Sequence, residues 1–306
     1  DKRNDIINVK DKVIEFETGN VLIGSVSRLY MSNKCLLIAD HKSVDKQIHI
    51  FNKNDFSYLT SIGNFGEGPE EITVMGCLAI DEAHHQLYVS DHAKQKIFSY
   101  DMDSVMVDSL YKPQVKTAMN ETLFPSEYQY INDTLSIAVL IKPTSTSTFN
   151  QFLGRWNMNT GEMIPMKYTH PDIQKKRITF AASEKAGIYV ECYTRHDLMT
   201  ICSLDGELLY NIYGPDWDGG NGNKLQSFGT VMIGNDKIFV SYCGEDYARD
   251  SFPTKILVFD LEGNYLKTLE TGYKISDCCY DSFNNRIILS LNDVVQFAYL
   301  DIDGII

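Results

Sequence analysis

The side chains of this 306-residue chain that could do chemistry gather in a few loop-like stretches. "SIGNFGEGPEEI" (61–72) sets Gly63, Gly66, Gly68 and Pro69 beside Glu67, Glu70 and Glu71. A glycine-rich phosphate cradle needs a helix after its loop, and here the next segment is strand-like. Turn chemistry with outward glutamates is therefore the expectation. His41, His92 and His196 stand in "DHKSVDK", "DHAKQ" and "YTRHD", where imidazoles can serve as acid/base groups, as metal ligands or as simple turn caps. "GPDWDGGNGN" (214–223) carries Asp216, Asp218, Asn221 and Asn223, loosely like an oxygen-rich calcium loop but without the ordered acidic pattern and distal glutamate. Within it, Trp217 is expected to be exposed and to offer a stacking platform for a sugar or apolar ligand. "CGEDYARDSF" (243–252) places Glu245, Asp246, Arg249 and Asp250 together, and an arginine among carboxylates can orient a polar ligand. Arg195 of "YTRHD" completes the binding candidates. No nucleophile–base pair stands out, so no catalytic residue is assigned.

The elements that must position these groups come from a repeat. "KCLLIADH" (34–41), "HQLYVSDH" (85–92), "DTLSIAVL" (133–140), "AGIYVECY" (186–193), "DKIFVSYC" (236–243) and "NRIILSLN" (285–292) recur at intervals of about 50 residues. After each comes a second apolar run, such as Ile48/Phe51 or Ile256/Phe259. In the last four units a turn glycine follows: Gly161, Gly206, Gly263 and Gly304. A further strand then follows the turn ("FSYLTSI", "VMVDSL", "EMIPMKY", "ELLYNIY", "YLKTLET"), and another precedes each unit. Four antiparallel strands repeated six times predict an all-β, six-bladed β-propeller covering 1–306 as a single domain. The blades are expected at about 25–63, 72–112, 127–168, 178–213, 228–271 and 275–306. The last unit supplies only three strands. The strand-like N-terminal stretch at about 5–17 is expected to close blade six and leave no long free edge.

Blade two, "CLAIDEAHHQLYVSDHAKQKIFSYD", resembles an NHL-type repeat through Asp81, Leu87-Tyr88-Val89, Asp91, Lys96-Ile97 and Tyr100-Asp101. The preceding "GNFGEGPEE" is similar to the connection in six-bladed, TolB-like propellers of bacterial cell-envelope lipoproteins. The match weakens along the chain, since Val139, Cys192, Tyr242 and Leu291 stand where blades one and two carry Asp40 and Asp91. The resemblance implies an exported propeller, in the periplasm or on the outer membrane surface of a Gram-negative bacterium, and lipid-anchored through a removed N-terminal region.

Composition bounds the partners. A net charge of −13 repels phosphate backbones, which argues against nucleic acid. No apolar run approaches a membrane span. The chain begins at Asp1 and shows no leader pattern, so it is read as mature or truncated. Seven cysteines lie scattered in apolar segments without a CxxC; the odd count leaves at least one unpaired, and most are read as small buried hydrophobes. The loops joining blades, and those joining second to third strands, are the long and chemically rich ones. Function is expected on that face, around the mouth of the central channel. The resulting expectation is a non-catalytic binding or scaffolding propeller for a protein segment or glycan, with no cofactor. The alternative is a calcium-type hydrolase or lyase drawing on Asp40, His41, Asp91, His92, His196 and Asp246.

Overall fold

The computed structural model describes residues 2–222 and 224–306. Two short strands come first, β1 (Ile6–Asn8) and β2 (Val13–Glu15). Blade one is β3 (Ser27–Met31), β4 (Cys35–Asp40), β5 (Lys46–Asn52) and β6 (Tyr58–Asn64). Blade two is β7 (Met75–Asp81), β8 (Gln86–Asp91), β9 (Lys96–Asp101), a single helical turn α1 (Met102–Val105) and β10 (Gln114–Ala118). Blade three is β11 (Phe124–Asn132), β12 (Leu135–Pro143), β13 (Phe149–Trp156) and β14 (Met163–Pro165). Blade four is β15 (Ile178–Ser183), β16 (Ile188–Tyr193), β17 (Leu198–Ser203) and β18 (Leu208–Tyr213). Blade five is β19 (Phe228–Ile233), β20 (Lys237–Tyr242), β21 (Lys255–Asp260) and β22 (Tyr265–Glu270). Blade six is β23 (Ile275–Asp281), β24 (Arg286–Leu291) and β25 (Phe297–Asp301), completed by β2. This is the six-bladed β-propeller expected from the repeat, with four antiparallel strands in each blade.

The second strand of each blade was the most readable part of the repeat because it is covered on both faces. All six residues of β4, β16 and β24 are buried, which favours a mostly apolar run over alternation, with a single charged residue in each (Asp40, Glu191 and Arg286). Outer strands are the reverse, and Leu208, Leu209 and Tyr210 of β18 are exposed. Two compact units are distinguished. Thr18–Met166 holds blades one to three, and Lys167–Ile306 with the N-terminal segment through Glu17 holds blades four to six. Within each unit the core lies between consecutive blades, as where Leu37 and Ile48 of blade one pack with Leu78 and Val89 of blade two. All seven cysteines are buried and free, where the sequence led us to expect burial for most of them and at least one unpaired.

Two strand expectations are corrected. The N-terminal stretch is two strands rather than one. β2 pairs antiparallel with β25 (Val13↔Leu300) and supplies the outer strand of blade six, while β1 pairs parallel with β22 of blade five (Ile7↔Leu269). Val9, fully buried between them, and the 3-10 turn Lys10–Lys12 carry the chain from one sheet edge to the next. In blade two the outer strand is Gln114–Ala118 and not "VMVDSL". Asp101 accepts a hydrogen bond from the Ser104 N–H and starts α1, and Val105 turns into the core. The cap therefore overrides the strand-like alternation that follows it.

Candidate functional site

The aspartates at the ends of the second strands have structural work. In Asp40, Oδ2 accepts from Gly24 N (2.9 Å) and Oδ1 from Lys42 N (3.1 Å). Asp91 accepts from Thr73 N (2.8 Å), Val74 N (3.2 Å), Ala93 N (3.1 Å) and Lys94 N (3.2 Å). Each buried carboxylate thus ties the incoming connection to the loop after the second strand. Asp197 of blade four is used in a related way, accepting from Asp216 N (3.1 Å) and from Arg3 (2.6 Å). Asp40 and Asp91, expected as possible metal-site groups, are spent on backbone amides.

The connection 61–72 is built around Glu71. Its Oε1 accepts from Gly68 N (2.9 Å), and a Cβ on Gly66 or Gly68 would lie 2.4 or 2.6 Å from this carboxylate. Lys94 Nζ donates to the carbonyls of Gly68 and Glu71. Glu70 pairs with Lys112 at 3.4 Å, and Glu67 is exposed. The glycines make room for an inward glutamate, and two of the three carboxylates remain outside.

His41 and His92 are brought together at Gly76 of blade two. The His41 ring meets the Gly76 carbonyl through Nε2 (3.3 Å), and a Cβ on Gly76 would lie 2.1 Å from His92 Nε2. The His92 ring also sits edge-on to Phe124, with centroids 4.8 Å apart. His41 Nδ1 and His92 Nε2 are buried and have no hydrogen-bond partner among the described residues. Burial lowers both imidazole pKa values. The Gly76 carbonyl partly offsets this for His41, and Asp91 does so for His92. Both rings are thus held as neutral donors and acceptors at neutral pH.

Beside them Arg28 of β3 forms an ion pair with Glu127 of β11, and its guanidinium lies 5.4 Å from the Tyr30 ring centroid. Arg28 and His41 also line a groove of about 440 Å³ together with Gln47, Phe65, Val74 and Met75. Its rim is apolar: Val26, Phe65 and Val74 are each between 43% and 50% exposed. Its polar part includes Gln47, only 2% exposed, whose Oε1 is buried and has no hydrogen-bond partner among the described residues. Arg28, Gln47, Gly76 and Glu127 were not singled out from the sequence. A readable signal was present, since "SRLYM" and "PSEYQY" each place a single charged residue inside a first strand.

The remaining candidates lie in blades four and five. His196 belongs to the unit of blades four to six, where its surroundings are aromatic. Its ring packs 6.0 Å from Tyr193 and 6.1 Å from Trp217, its Nδ1 is buried without a partner among the described residues, and burial lowers its pKa. Trp217, expected to be exposed, is half-buried in an aromatic cluster, 5.0 Å from Tyr213 and 5.5 Å from His170. Its loop is folded back because Asp197 holds the Asp216 amide and Asp216 Oδ2 accepts from Tyr242 (2.8 Å). Asp218 accepts from Gly220 N (3.2 Å), and Asn221 donates to the Asp218 carbonyl (2.9 Å). Asn223 lies outside the described residues. Arg195 stacks over Tyr247 at 3.9 Å. Glu245 pairs with Arg249 at 3.4 Å, and Asp246 caps its own short turn through Ala248 N (2.8 Å), so that loop is largely paired with itself.

Sheet order and site together define a six-bladed β-propeller with a groove between its first two blades. Residues 2–152 match a family described as 6-bladed beta-propeller, DUF5128. Among solved structures the chain is similar to U3-55K, with 10% identity over 95% of this chain and 98% of that one, at TM-score 0.62. A Bacteroides vulgatus member of the duf4221 family shares 11% identity over 94% of each chain, at TM-score 0.60. A Bacteroides fragilis protein described as a "Putative exported protein" shares 13% identity over 92% of this chain and 85% of that one, at TM-score 0.59. These likenesses are of fold. A search of curated proteins found no match. No helix among the described residues is long and apolar enough to cross a membrane.

Proposed function

We propose that this propeller is a non-catalytic binding module of the bacterial cell envelope that takes a protein segment in the groove of blades one and two. One observation carries the reading: Gln47 and His41 hold buried polar atoms, without partners among the described residues, at a groove with an apolar rim. An orphaned buried polar atom costs roughly 1–3 kcal/mol, which a donor from a ligand would offset. An extended peptide supplies such donors as backbone N–H groups, apolar side chains for Phe65 and Val74, and carboxylates for Arg28 and Lys42. Export is supported by the likeness to the Bacteroides fragilis protein, and a lipid anchor upstream of residue 1 belongs to the same proposal. The calcium-type hydrolase reading loses two of its carboxylates, Asp40 and Asp91, to backbone amides.

Peptide and glycan arrays probed with the purified chain test this reading. The expected result is a set of peptides pairing an apolar residue with an acidic one, whose binding drops at least roughly ten-fold in Arg28→Ala and in Gln47→Leu, as for loss of one charge-assisted or buried hydrogen bond. Capture of glycans alone would move the ligand class. Variants that bind like the parent would overturn the site.

A further inference from the structure

The turns at the opposite ends of the blade-two and blade-three strands hold a second constellation, unrelated to the groove. Asp81 closes β7 and is 1% exposed. Its Oδ1 accepts from His84 N (3.1 Å), its Oδ2 accepts from the Tyr88 hydroxyl (2.7 Å), and Oδ2 lies 2.8 Å from His84 Nδ1. From the turn between β11 and β12, Asp133 brings Oδ1 to 3.8 Å from the same Nδ1, and this oxygen is oriented by the Tyr130 hydroxyl (2.6 Å). One ligand atom from each of the three residues lies within 4.8 Å of the other two.

The same turn occurs in blade six without a histidine. There Asp281 accepts from Phe283 N (3.1 Å) and Asn284 N (3.2 Å), and the Asn284 side chain donates to Asp281 Oδ2 (2.7 Å). An asparagine therefore satisfies what the turn requires. At position 84 an imidazole replaces it, and a second carboxylate faces the imidazole. Turn geometry accounts for Asp81 but not for this combination.

We propose that Asp81, His84 and Asp133 form a site for one divalent transition-metal ion of the zinc class. One imidazole nitrogen and two carboxylate oxygens are a donor set of zinc type, whereas calcium takes six to eight oxygens. The spacing allows all three to reach one ion at about 2.0–2.2 Å after small rotations of the exposed His84 and Asp133 side chains. On binding, the ion takes the Nδ1 lone pair, and the proton now shared with Asp81 leaves to solvent. The Tyr88 and Tyr130 hydroxyls keep the two carboxylates oriented, the outer-shell role such groups play around metals. With three protein ligands, the fourth position opens on a cleft of about 410 Å³ lined by His84, Tyr88, Gln114, Lys116, Asp133 and Asn159. Lys116 is the one cation in that lining. Its ammonium stacks 5.4 Å from the Tyr88 ring centroid, and it makes the position suited to an anionic or neutral fourth ligand.

Calorimetric titration of the metal-free chain with zinc chloride, alongside His84→Asn, Asp133→Asn and His85→Asn, tests the site. We expect one zinc per parent chain and a loss of more than roughly 100-fold in both His84→Asn and Asp133→Asn, since even outer-shell changes cost 10–100-fold. His85→Asn, which removes the neighbouring exposed imidazole, should bind like the parent. His84→Asn reproduces the blade-six turn, so its melting temperature without metal should match the parent, which separates lost ligation from lost folding. Failure of the parent to take up zinc would overturn the proposal. So would equal binding by His84→Asn, or calcium binding as tight as zinc. None of these outcomes bears on peptide capture in the groove.

Discussion

Gly76 shows how one missing side chain shapes the groove region. A methyl group there would sit 2.1 Å from His92 Nε2, so Gly76→Ala has to expel an imidazole that also packs on Phe124. Overpacking of this kind costs roughly 1–3 kcal/mol. Urea unfolding should show that loss for Gly76→Ala, with part of it recovered in the Gly76→Ala/His92→Ala double variant, where the clash is gone. Equal losses in both would mean that His92 is not what Gly76 accommodates. The same scale explains why the aspartates of the second strands are poor candidates for chemistry. Asp91, fully buried, accepts from four backbone amides and Asp40, 4% exposed, from two, so both are committed to holding their loops, whereas Asp81 accepts from a single backbone amide.

The N-terminal segment illustrates what an element contributes beyond its own hydrogen bonds. It lends β1 to blade five and β2 to blade six, with Val9 fully buried between. Ahead of β1, Arg3 reaches Asp197 at 2.6 Å, and their side chains are 8% and 0% exposed. Its guanidinium lies 5.5 Å from the ring centroids of Phe228 and Tyr242 and 5.7 Å from that of Phe259. Removing one partner of a buried pair leaves an uncompensated charge and costs about 3–5 kcal/mol. Arg3→Met should therefore lower the melting temperature markedly, and Arg3→Met/Asp197→Asn should lower it less than the two single losses added together. Strict additivity in that cycle would show that the pair is not energetically coupled. Blade two makes the converse point. Its outer strand was misplaced from sequence because α1 starts at a capping aspartate, a local signal that competes with alternation.

At the scale of the whole molecule, the histidines set a pH dependence. His41, His49, His92, His170 and His196 all have pKa values lowered from 6.5, in each case first by burial. Below pH 6.5 the unfolded chain takes up protons that these folded imidazoles refuse, so stability falls as pH drops from 6.5 toward the lowered values. His84 acts in the opposite sense. Its pKa is raised by the Asp81 hydrogen bond and by the charges of Asp81 and Asp133, so its contribution is present below 6.5 and is lost as pH rises through its folded value. Being exposed, it is the weaker influence. Thermal melts between pH 7.5 and 5.5 should show falling stability toward acid, and a His41→Asn/His92→Asn variant should show a shallower slope. A flat profile for the parent would contradict neutral, buried imidazoles.

The repeat, the number of blades, the four-strand unit and the closing role of the N-terminal stretch were legible in the residues alone. Each rests on local periodicity: second strands covered on both faces are mostly apolar, and hairpin turns such as those at Gly206 (φ 88°) and Gly263 (φ 85°) require a residue that tolerates positive φ. The burial of the cysteines followed from the same apolar context. What tertiary structure alone decided is which polar groups meet. Arg28 and Glu127 are 99 positions apart, His41 meets Gly76 across 35, and Asp133 faces His84 from a different blade. Such meetings depend on how neighbouring blades are staggered, and a pattern repeating every 50 residues carries no record of that stagger. The same packing turned Trp217 inward and Asp40 and Asp91 onto backbone amides, because groups near a blade end are captured first by the loops folding over them.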